Sequence, residues 1–217
     1  MNRNKLGIVL ICLGLVLVLG ALTLTGINLY DQQQAAISSQ VALEDLMQQL
    51  PQETFSKTEP VEDTLLSIEH LKKETVDYLK NPYMPMPVTN IDGIDYIGYL
   101  EIPSLGLTLP VIGETTSGNL LKAPCRFFGS AYTGDLVIGA HNYATHFGRI
   151  WELGYGDRVI FTDMAGNVFV YEVADMETLR PYEGSQLCNG LWDLTLYTCT
   201  FGGEQRMTIR CEQVNAY

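Results

Sequence analysis

Seven short segments between residues 91 and 214 alternate apolar and polar residues with a period of two, and this alternation constrains the fold most strongly. Glycine, proline, asparagine or aspartate separates the segments, and these residues favour turns. Closely spaced strands with no long helix between them indicate an all-β domain, closed as a barrel or stacked as a sandwich. The segments are IDYIGYLEIP, LTLPVIG, DLVIGAHN, DRVIFTD, NVFVYEVADMETL, LWDLTLYTC and RMTIRCEQV.

The N-terminus carries a second strong pattern. Arg3 and Lys5 precede residues 6–30, which include no charged residue. An apolar run of roughly 20 residues or more can cross a bilayer, and the flanking basic residues favour the cytoplasmic side. The alternative is a cleaved signal peptide, which would have a shorter apolar core and a small-residue cleavage site. We predict that residues 1–30 form a cytoplasmic stub and a single-pass anchor in the cell membrane, with the rest of the chain extracellular.

Residues 31–90 are predicted to be a helical stalk and linker. DQQQAAISSQVALEDLMQQL and TLLSIEHLKKETVDYLK place apolar residues near helical spacing. PQETFSKTEPVED, between them, is a linker by composition. In the first helical stretch the apolar positions are Ile37, Val41, Leu43, Leu46, Met47 and Leu50. The β domain is then expected to occupy residues 91–217.

Charge and cysteine content limit the possible functions. The formal net charge of −12 argues against nucleic acid, because phosphate binding needs basic patches. Outside Cys12 in the predicted anchor, four cysteines remain, at positions 125, 188, 199 and 211. An even number outside the cell is compatible with two disulfides, but a domain of this size can build a core without them. The sequence leaves the disulfide state open.

Strand alternation indicates which side chains lie off the core. Cys199, His141 and Arg206 each fall on the face opposite the aliphatic residues of their own strand. If TFGGEQ joins two antiparallel strands, Arg206 lies beside Cys199. A fixed cation favours the thiolate, which is the nucleophilic form, and a nearby histidine completes a pair able to attack a carbonyl and protonate a leaving group. Periodicity does not show whether His141 is close to Cys199.

These residues resemble the motifs of the sortases, the membrane-anchored cysteine transpeptidases of Gram-positive bacteria. LTLYTC is similar to the family's T-L-x-T-C strand, Arg206 follows after a short turn, and VIGAHN supplies the upstream histidine. ELGYGDRVIFTD, after that histidine, is similar to the family's leucine–glycine–aspartate strand entry. Asn142 stands where many members have arginine, which leaves the subclass open.

The resemblance implies an eight-stranded β-barrel that cleaves a Leu-Pro-x-Thr-Gly-like sorting signal between threonine and glycine. It implies that Cys199 forms a thioester with the threonine, that His141 transfers protons, and that Arg206 stabilises the oxyanion or the substrate backbone. Thr198 is expected to help place the oxyanion. The implied partners are secreted proteins with C-terminal sorting signals and an amine acceptor, either a cell-wall precursor or a pilin lysine. No cofactor or metal is expected.

Two further segments resemble family elements. LRPYEGSQLCNGLW falls where sortases have a substrate-recognition loop, so Leu187 and Leu191 are candidates for lining its pocket. The alternative is a surface loop with a short helix. Asn81, Pro82 and Tyr83 are similar to the Asp-Pro-aromatic tripeptide of an active-site lid in some pilin-polymerising sortases. A rigid proline-rich connector is the favoured alternative, because asparagine cannot make the charged contact to arginine.

The loop after His141 has a second histidine, His146. A zinc site that includes Cys199 lacks a clear fourth ligand, so a histidine without a catalytic role is favoured. Phe147 and Trp151 are expected to pack beneath this loop. Two other functions stay open: an L,D-transpeptidase-like enzyme that cross-links the cell wall, although its Ser-His-Gly-Cys cluster is absent from the sequence, and a membrane-tethered binding module whose cysteine is structural.

Overall fold

The computed structural model describes residues 3–50 and 77–214 of the 217-residue chain. A long helix, α1 (Arg3–Gln49), is followed within the described residues by short helices and nine strands. The helices are α2 (Asp77–Lys80), α3 (Ser117–Leu120) and α4 (Gly184–Leu187), with 3₁₀ turns at Pro103–Leu105 and Ile150–Glu152. The strands are β1 (Thr89–Ile91), β2 (Ile94–Ile102), β3 (Leu107–Ile112), β4 (Cys125–Phe128), β5 (Leu136–Ala140), β6 (Arg158–Asp163), β7 (Val168–Leu179), β8 (Leu194–Cys199) and β9 (Arg206–Gln213).

Eight of these strands close into a barrel. The order β2-β3-β4-β5-β8-β9-β7-β6 returns to its start because β6 also pairs with β2, and β1 forms a hairpin on the outer edge of β2. The barrel closes where β2 approaches β6 closely at Gly98. A Cβ atom at this position would lie 2.0 Å from the Thr162 carbonyl oxygen, so the approach requires glycine. The predicted eight-stranded β-barrel is confirmed.

All seven predicted strands are present, and their aliphatic faces form the core as expected. The alternation did not reveal β1, with three residues, or β4, with four. In β4 only Cys125 is buried, whereas Phe127 and Phe128 are exposed. A strand this short, with aromatic side chains facing outward, shows no apolar–polar period. Strands β5, β8 and β9 contribute the core residues Leu136, Ile138, Ala140, Leu194, Leu196, Ile209 and Cys211.

Helix α1 combines an exposed apolar half with a half that packs on the barrel. Its stretch from Gly7 onward is long and apolar enough to cross a membrane, and the residues of its most apolar window are entirely unburied. The C-terminal half buries Ala35, Ser39, Ala42 and Leu46, which are spaced three or four residues apart and therefore share one helix face. This face is made largely of small residues.

The apolar residues at helical spacing in that half do not all pack on the barrel. Ile37, Val41 and Met47 are exposed, while Leu46 packs against Tyr96 and Ile112 of the barrel. The second predicted helical stretch lies outside the described residues except for α2, as does the predicted linker.

Candidate active site

Three neighbouring strands bring the predicted chemical groups together. Strands β5 and β8 are parallel with Ala140 opposite Thr198, so His141 follows β5 where Cys199 ends β8. Strands β8 and β9 are antiparallel with Cys199 directly opposite Arg206. Residues paired in this way point to the same side of a sheet. Sulfur, imidazole and guanidinium are therefore carried side by side at one end of the barrel.

These side chains lie on the outer surface of β5, β8 and β9, which we call the catalytic face. Tyr197 lies on this face two residues before Cys199, and its ring covers Gly139, where a Cβ atom would be 2.5 Å from the tyrosine Cζ. Phe127 meets the same ring edge-on, with 5.5 Å between centroids. Glycine at position 139 is thus required for this packing. The aromatic pair gives the face an apolar floor beside the thiol.

The cysteines differ sharply in accessibility. Cys199 is half-exposed, whereas Cys125 and Cys211 are fully buried in the barrel. Burial raises the pKa of both buried thiols to about 12, which keeps them protonated and unreactive. All five cysteines are free thiols in the structure.

His141 is partly buried, and this burial lowers the pKa of its imidazole. Its ring lies 5.0 Å from that of Tyr143, centroid to centroid, at an angle of 33°. Arg206 directs Nη1 to the carbonyls of Gly203 and Gln205, at 3.3 and 3.2 Å. These contacts hold the guanidinium at the base of the β8–β9 turn, next to Cys199.

Thr198 does not lie on the catalytic face. It is buried, and its hydroxyl donates a hydrogen bond of 2.8 Å to the carbonyl of Ala140. The Thr198 hydroxyl was expected to help place the oxyanion. In this geometry it does not, because its proton is directed across the β5–β8 ladder to the Ala140 carbonyl. The bond instead fixes the main chain immediately before His141 relative to that before Cys199.

A buried cation on the catalytic face was not assigned a role from the sequence. Arg210, whose side chain is 1% exposed, forms an ion pair of 2.7 Å with Glu177. It also donates to Thr195 Oγ1 at 2.9 Å and to the main-chain carbonyls of Gln186 and Leu187, at 2.7 and 3.3 Å. The sequence shows only that Arg210 lies on the polar face of β9. Strand alternation cannot distinguish a buried arginine on that face from a solvent-exposed arginine.

The segment between β7 and β8 therefore covers part of the catalytic face. Leu187, at the end of α4, packs against Val137 and Leu179 and is buried. Leu191 is 77% exposed and makes no such contact. Of the two candidate pocket residues, Leu187 forms the base of this segment, and Leu191 is presented to solvent.

The tripeptide compared with a lid lies far from the catalytic face. Pro82 lines a cleft with Tyr132, Phe169 and Gln213, at the end of the barrel where β8 begins. Cys199 ends the same strand, about 17 Å further along it. Tyr83 is 87% exposed, and Met86 is buried in the core. Residues 81–83 thus do not cover the active site here, and the segment has the packing expected of a connector.

The loop after His141 packs against α1. His146 is fully buried and neither ring nitrogen forms a hydrogen bond, although the Ala35 carbonyl of α1 is close by. Phe147 is buried as expected, but Trp151 is 65% exposed, so the expectation that it packs beneath the loop is wrong. Within residues 3–50 and 77–214, no three histidine, cysteine or acidic side chains cluster as metal ligands would.

His146 is expected to make the folded protein acid-sensitive. Burial, followed by the nearby His141, lowers the pKa of His146 from 6.5 to about 4. Between pH 6.5 and pH 4 the unfolded chain binds this proton more readily than the folded protein does. The contribution of neutral His146 to the free energy of unfolding is therefore complete above pH 6.5 and is lost as the pH falls toward 4. We expect the wild-type protein to lose about 2 kcal/mol more than His146→Leu between pH 7 and pH 5. Thermal unfolding of both proteins in detergent, followed against pH, measures this difference; parallel pH profiles would contradict it.

The arrangement defines a class of protein: a β-barrel cysteine enzyme whose thiol, imidazole and guanidinium share one outer face. A family model described as the sortase domain matches residues 100–214. This match covers more than half of the chain, and the chain belongs to the sortase family. It is accordingly a cysteine transpeptidase.

Solved structures agree on the fold. Sortase C-1 from Actinomyces oris is 22% identical, with a TM-score of 0.53 over 68% of this chain and 99% of that one. Sortase A from Corynebacterium diphtheriae is 18% identical, with a TM-score of 0.52 over 91% and 97%. Sortase C from Streptococcus pneumoniae is 18% identical, with a TM-score of 0.51 over 69% and 94%. No curated protein sequence matches the chain.

Proposed function

We propose that Cys199, His141 and Arg206 carry out transpeptidation on proteins that bear a C-terminal sorting signal of the Leu-Pro-x-Thr-Gly kind. The observation that carries this proposal is the strand register: Cys199 lies opposite Arg206, and the pairing of β5 with β8 ends at Ala140 and Thr198, one residue before His141 and Cys199. The partial exposure of Cys199 supports the proposal, because a nucleophile must reach its substrate. The buried thiols at positions 125 and 211 have no such access.

The proposed chemistry has two halves. The Cys199 thiolate attacks the threonine carbonyl, a carbon–sulfur bond forms, and the peptide bond to glycine breaks as His141 gives a proton to the departing amine. An incoming amine then attacks the thioester, His141 takes up its proton, and the thiolate leaves. Negative charge develops on the carbonyl oxygen in both halves, and a fixed cation next to it lowers that barrier. Arg206 supplies this cation.

The catalytic face also offers a binding surface for the apolar part of a sorting signal. Tyr197 and Phe127 form its floor, and the α4 segment anchored by Arg210 forms one side. We infer that the leucine and proline of the signal bind between this floor and the segment, with Leu191 at the exposed edge. The scissile bond would then lie above Cys199, at the end of the strand that carries Tyr197.

We infer that α1 anchors the enzyme in the cell membrane with Met1–Lys5 in the cytoplasm and the barrel outside. The exposed apolar surface of the helix from Gly7 onward supports this inference. Residues 1–30 would form the anchor, residues 31–90 the stalk and connector, and residues 91–217 the catalytic domain. The anchor would keep the enzyme in the same layer as secreted substrates that are still attached to the membrane.

The incoming amine is either a cell-wall precursor or a lysine of a pilin subunit. The Streptococcus pneumoniae enzyme noted above is described in terms of pilin substrate specificity, which makes a pilin acceptor the second candidate here. The full-length protein in detergent should be given a library of sorting peptides together with either an oligoglycine or a lysine-containing acceptor peptide. Mass identification of the transfer product names both the motif and the acceptor. Hydrolysis or transfer with no motif preference would contradict the proposal.

A further inference from the structure

The face of α1 that packs on the barrel runs from one barrel end to the other. Near its start, Ala35 lies against His146 of the loop that follows β5. Ser39 and Leu43 follow, beside Leu107 at the start of β3. Leu46 packs against Ile112, where β3 ends. The order of contacts along the helix therefore matches the direction of β3, and Ala35 marks the barrel end from which β3 starts.

That end of the barrel is also the catalytic end. Residues 141–157 connect the end of β5, beside Cys199, to the start of β6. The start of β6 adjoins the end of β2 and the start of β3, because Glu101 pairs with both Ile160 and Thr108. The loop thus lies across one end of the barrel, with His141 at its beginning and the α1 contact at His146.

The distance from this end to the apolar span is short. Asp31 is the first charged residue after the span, and Ala35 follows it by about 6 Å along a helix axis. Asp31 is also close enough to Tyr143 to raise the pKa of that tyrosine, after the larger effect of burial. A headgroup layer adds roughly 5–8 Å beyond the hydrocarbon on each side. The loop would therefore lie at the level of the lipid headgroups.

Exposed aromatic side chains occur at this same end. Trp151 and Tyr155, in the loop, are 65% and 70% exposed, and Phe201, in the β8–β9 turn, has no burial at all. Tryptophan and tyrosine prefer the bilayer interface, where an apolar ring and a polar edge are both accommodated. The formal net charge of −12 gives no attraction to anionic lipid, so apolar contact is the interaction that this surface offers.

We propose that the catalytic end of the barrel rests on the membrane surface, with Trp151, Tyr155 and Phe201 in contact with the lipid headgroup layer. The inference rests on the membrane anchoring proposed above and adds an orientation to it. In this orientation Cys199 faces the bilayer, and membrane-attached substrates reach the thiol without leaving the surface.

The two tryptophans of the chain provide a matched test, because they lie at opposite barrel ends. Trp192 precedes β8, whereas Trp151 lies at the end where β8 finishes, about 17 Å away along the strand. Full-length Trp192→Phe and Trp151→Phe proteins, each with a single tryptophan, would be reconstituted in phosphatidylcholine vesicles brominated near the top of the acyl chains. We expect the fluorescence of Trp151 to be quenched at least about twofold more than that of Trp192, relative to unbrominated vesicles.

Each result is informative. Equal quenching of the two tryptophans, or stronger quenching of Trp192, would overturn the orientation. Flotation of the vesicles reports the anchor separately: protein that does not float with them would remove the basis of the proposal and overturn it too. Peptide transfer by the same proteins in detergent reports catalysis, so failure of the orientation and failure of the proposed enzymatic function give different results.

Discussion

The Cys199→Ala protein is expected to lose both cleavage of a sorting peptide and transfer to an amine, with kcat/KM lower by at least about 10³-fold. The other thiols of the β domain are poorer nucleophiles. Cys188 is also partly exposed, but burial raises the pKa of its thiol and so disfavours the thiolate. Cys125 and Cys211 are buried in the barrel, and both keep their protons at neutral pH because burial raises their pKa to about 12. The expected loss is of chemistry and not of structure, because Cys199 is only half buried and its removal leaves the β8–β9 ladder intact.

Cys125→Ala is the matched control for this experiment. It removes a thiol of the same size whose Sγ donates only to the Ala123 carbonyl, so activity should be retained. Mass spectrometry of the wild-type protein after mixing with peptide, without an acceptor amine, should show one acyl group, and fragmentation of the tryptic peptide 159–206, which also contains Cys188, should place that group on Cys199. A Cys199→Ala protein that still released the glycine-side product would show that another group is the nucleophile.

Strand alternation predicted the all-β domain and the catalytic face because both depend on local geometry, whereas the eight-stranded barrel was implied by the resemblance to sortases. The aliphatic faces of β5, β8 and β9 define the core, so the opposite face with Cys199, His141 and Arg206 follows from the letters alone. Their proximity did not follow. It depends on β5 pairing with β8 across an intervening 53 residues, from Ala140 to Leu194, and that long-range pairing leaves no periodic signal.

A different physical reason explains why hydrophobicity failed to predict which residues are buried. Trp151 was expected to pack because it is apolar, yet it is exposed, and the apolar Ile37 of α1 is exposed as well. The packing face of α1 uses Ala35, Ser39 and Ala42 instead, since small residues allow a helix to approach a barrel closely. An apolar residue can also face lipid or a partner, so hydrophobicity alone does not distinguish a buried position from an interfacial one.

Arg210 is a charged residue whose burial could not be predicted from the sequence. Alternation placed its side chain off the core, and the sequence offers nothing to show that the segment before β8 folds back over it. The structure buries the guanidinium under that segment and pairs it with Glu177 and two main-chain carbonyls. Arg210 therefore has two roles. It stabilises the outer surface of the sheet, and it holds in position the segment that we propose binds the sorting signal.

Arg210→Met is expected to destabilise the protein by about 3 kcal/mol, because it leaves Glu177 and two main-chain carbonyls, one buried and one partly buried, without their shared donor. Methionine retains much of the apolar volume, so lost hydrogen bonding and not a cavity should dominate. Thermal unfolding of the full-length protein in detergent measures this loss. Arg158→Met is the matched control: its contact with Glu172 spans 3.7 Å between side chains that are 68% and 41% exposed, and its unfolding midpoint should not change measurably.

The same substitution should separate binding from chemistry. Without the bonds from Arg210 to the Gln186 and Leu187 carbonyls, the α4 segment loses its attachment to β9, and we expect KM for a sorting peptide to rise about tenfold. Cys199, His141 and Arg206 keep their own strand register, so kcat at saturating peptide should change little, as should the rate of Cys199 alkylation. Arg210→Lys, which retains charge but cannot reach all four acceptors, should fall between the two proteins. A fall in kcat with unchanged KM would instead assign Arg210 to the chemical step.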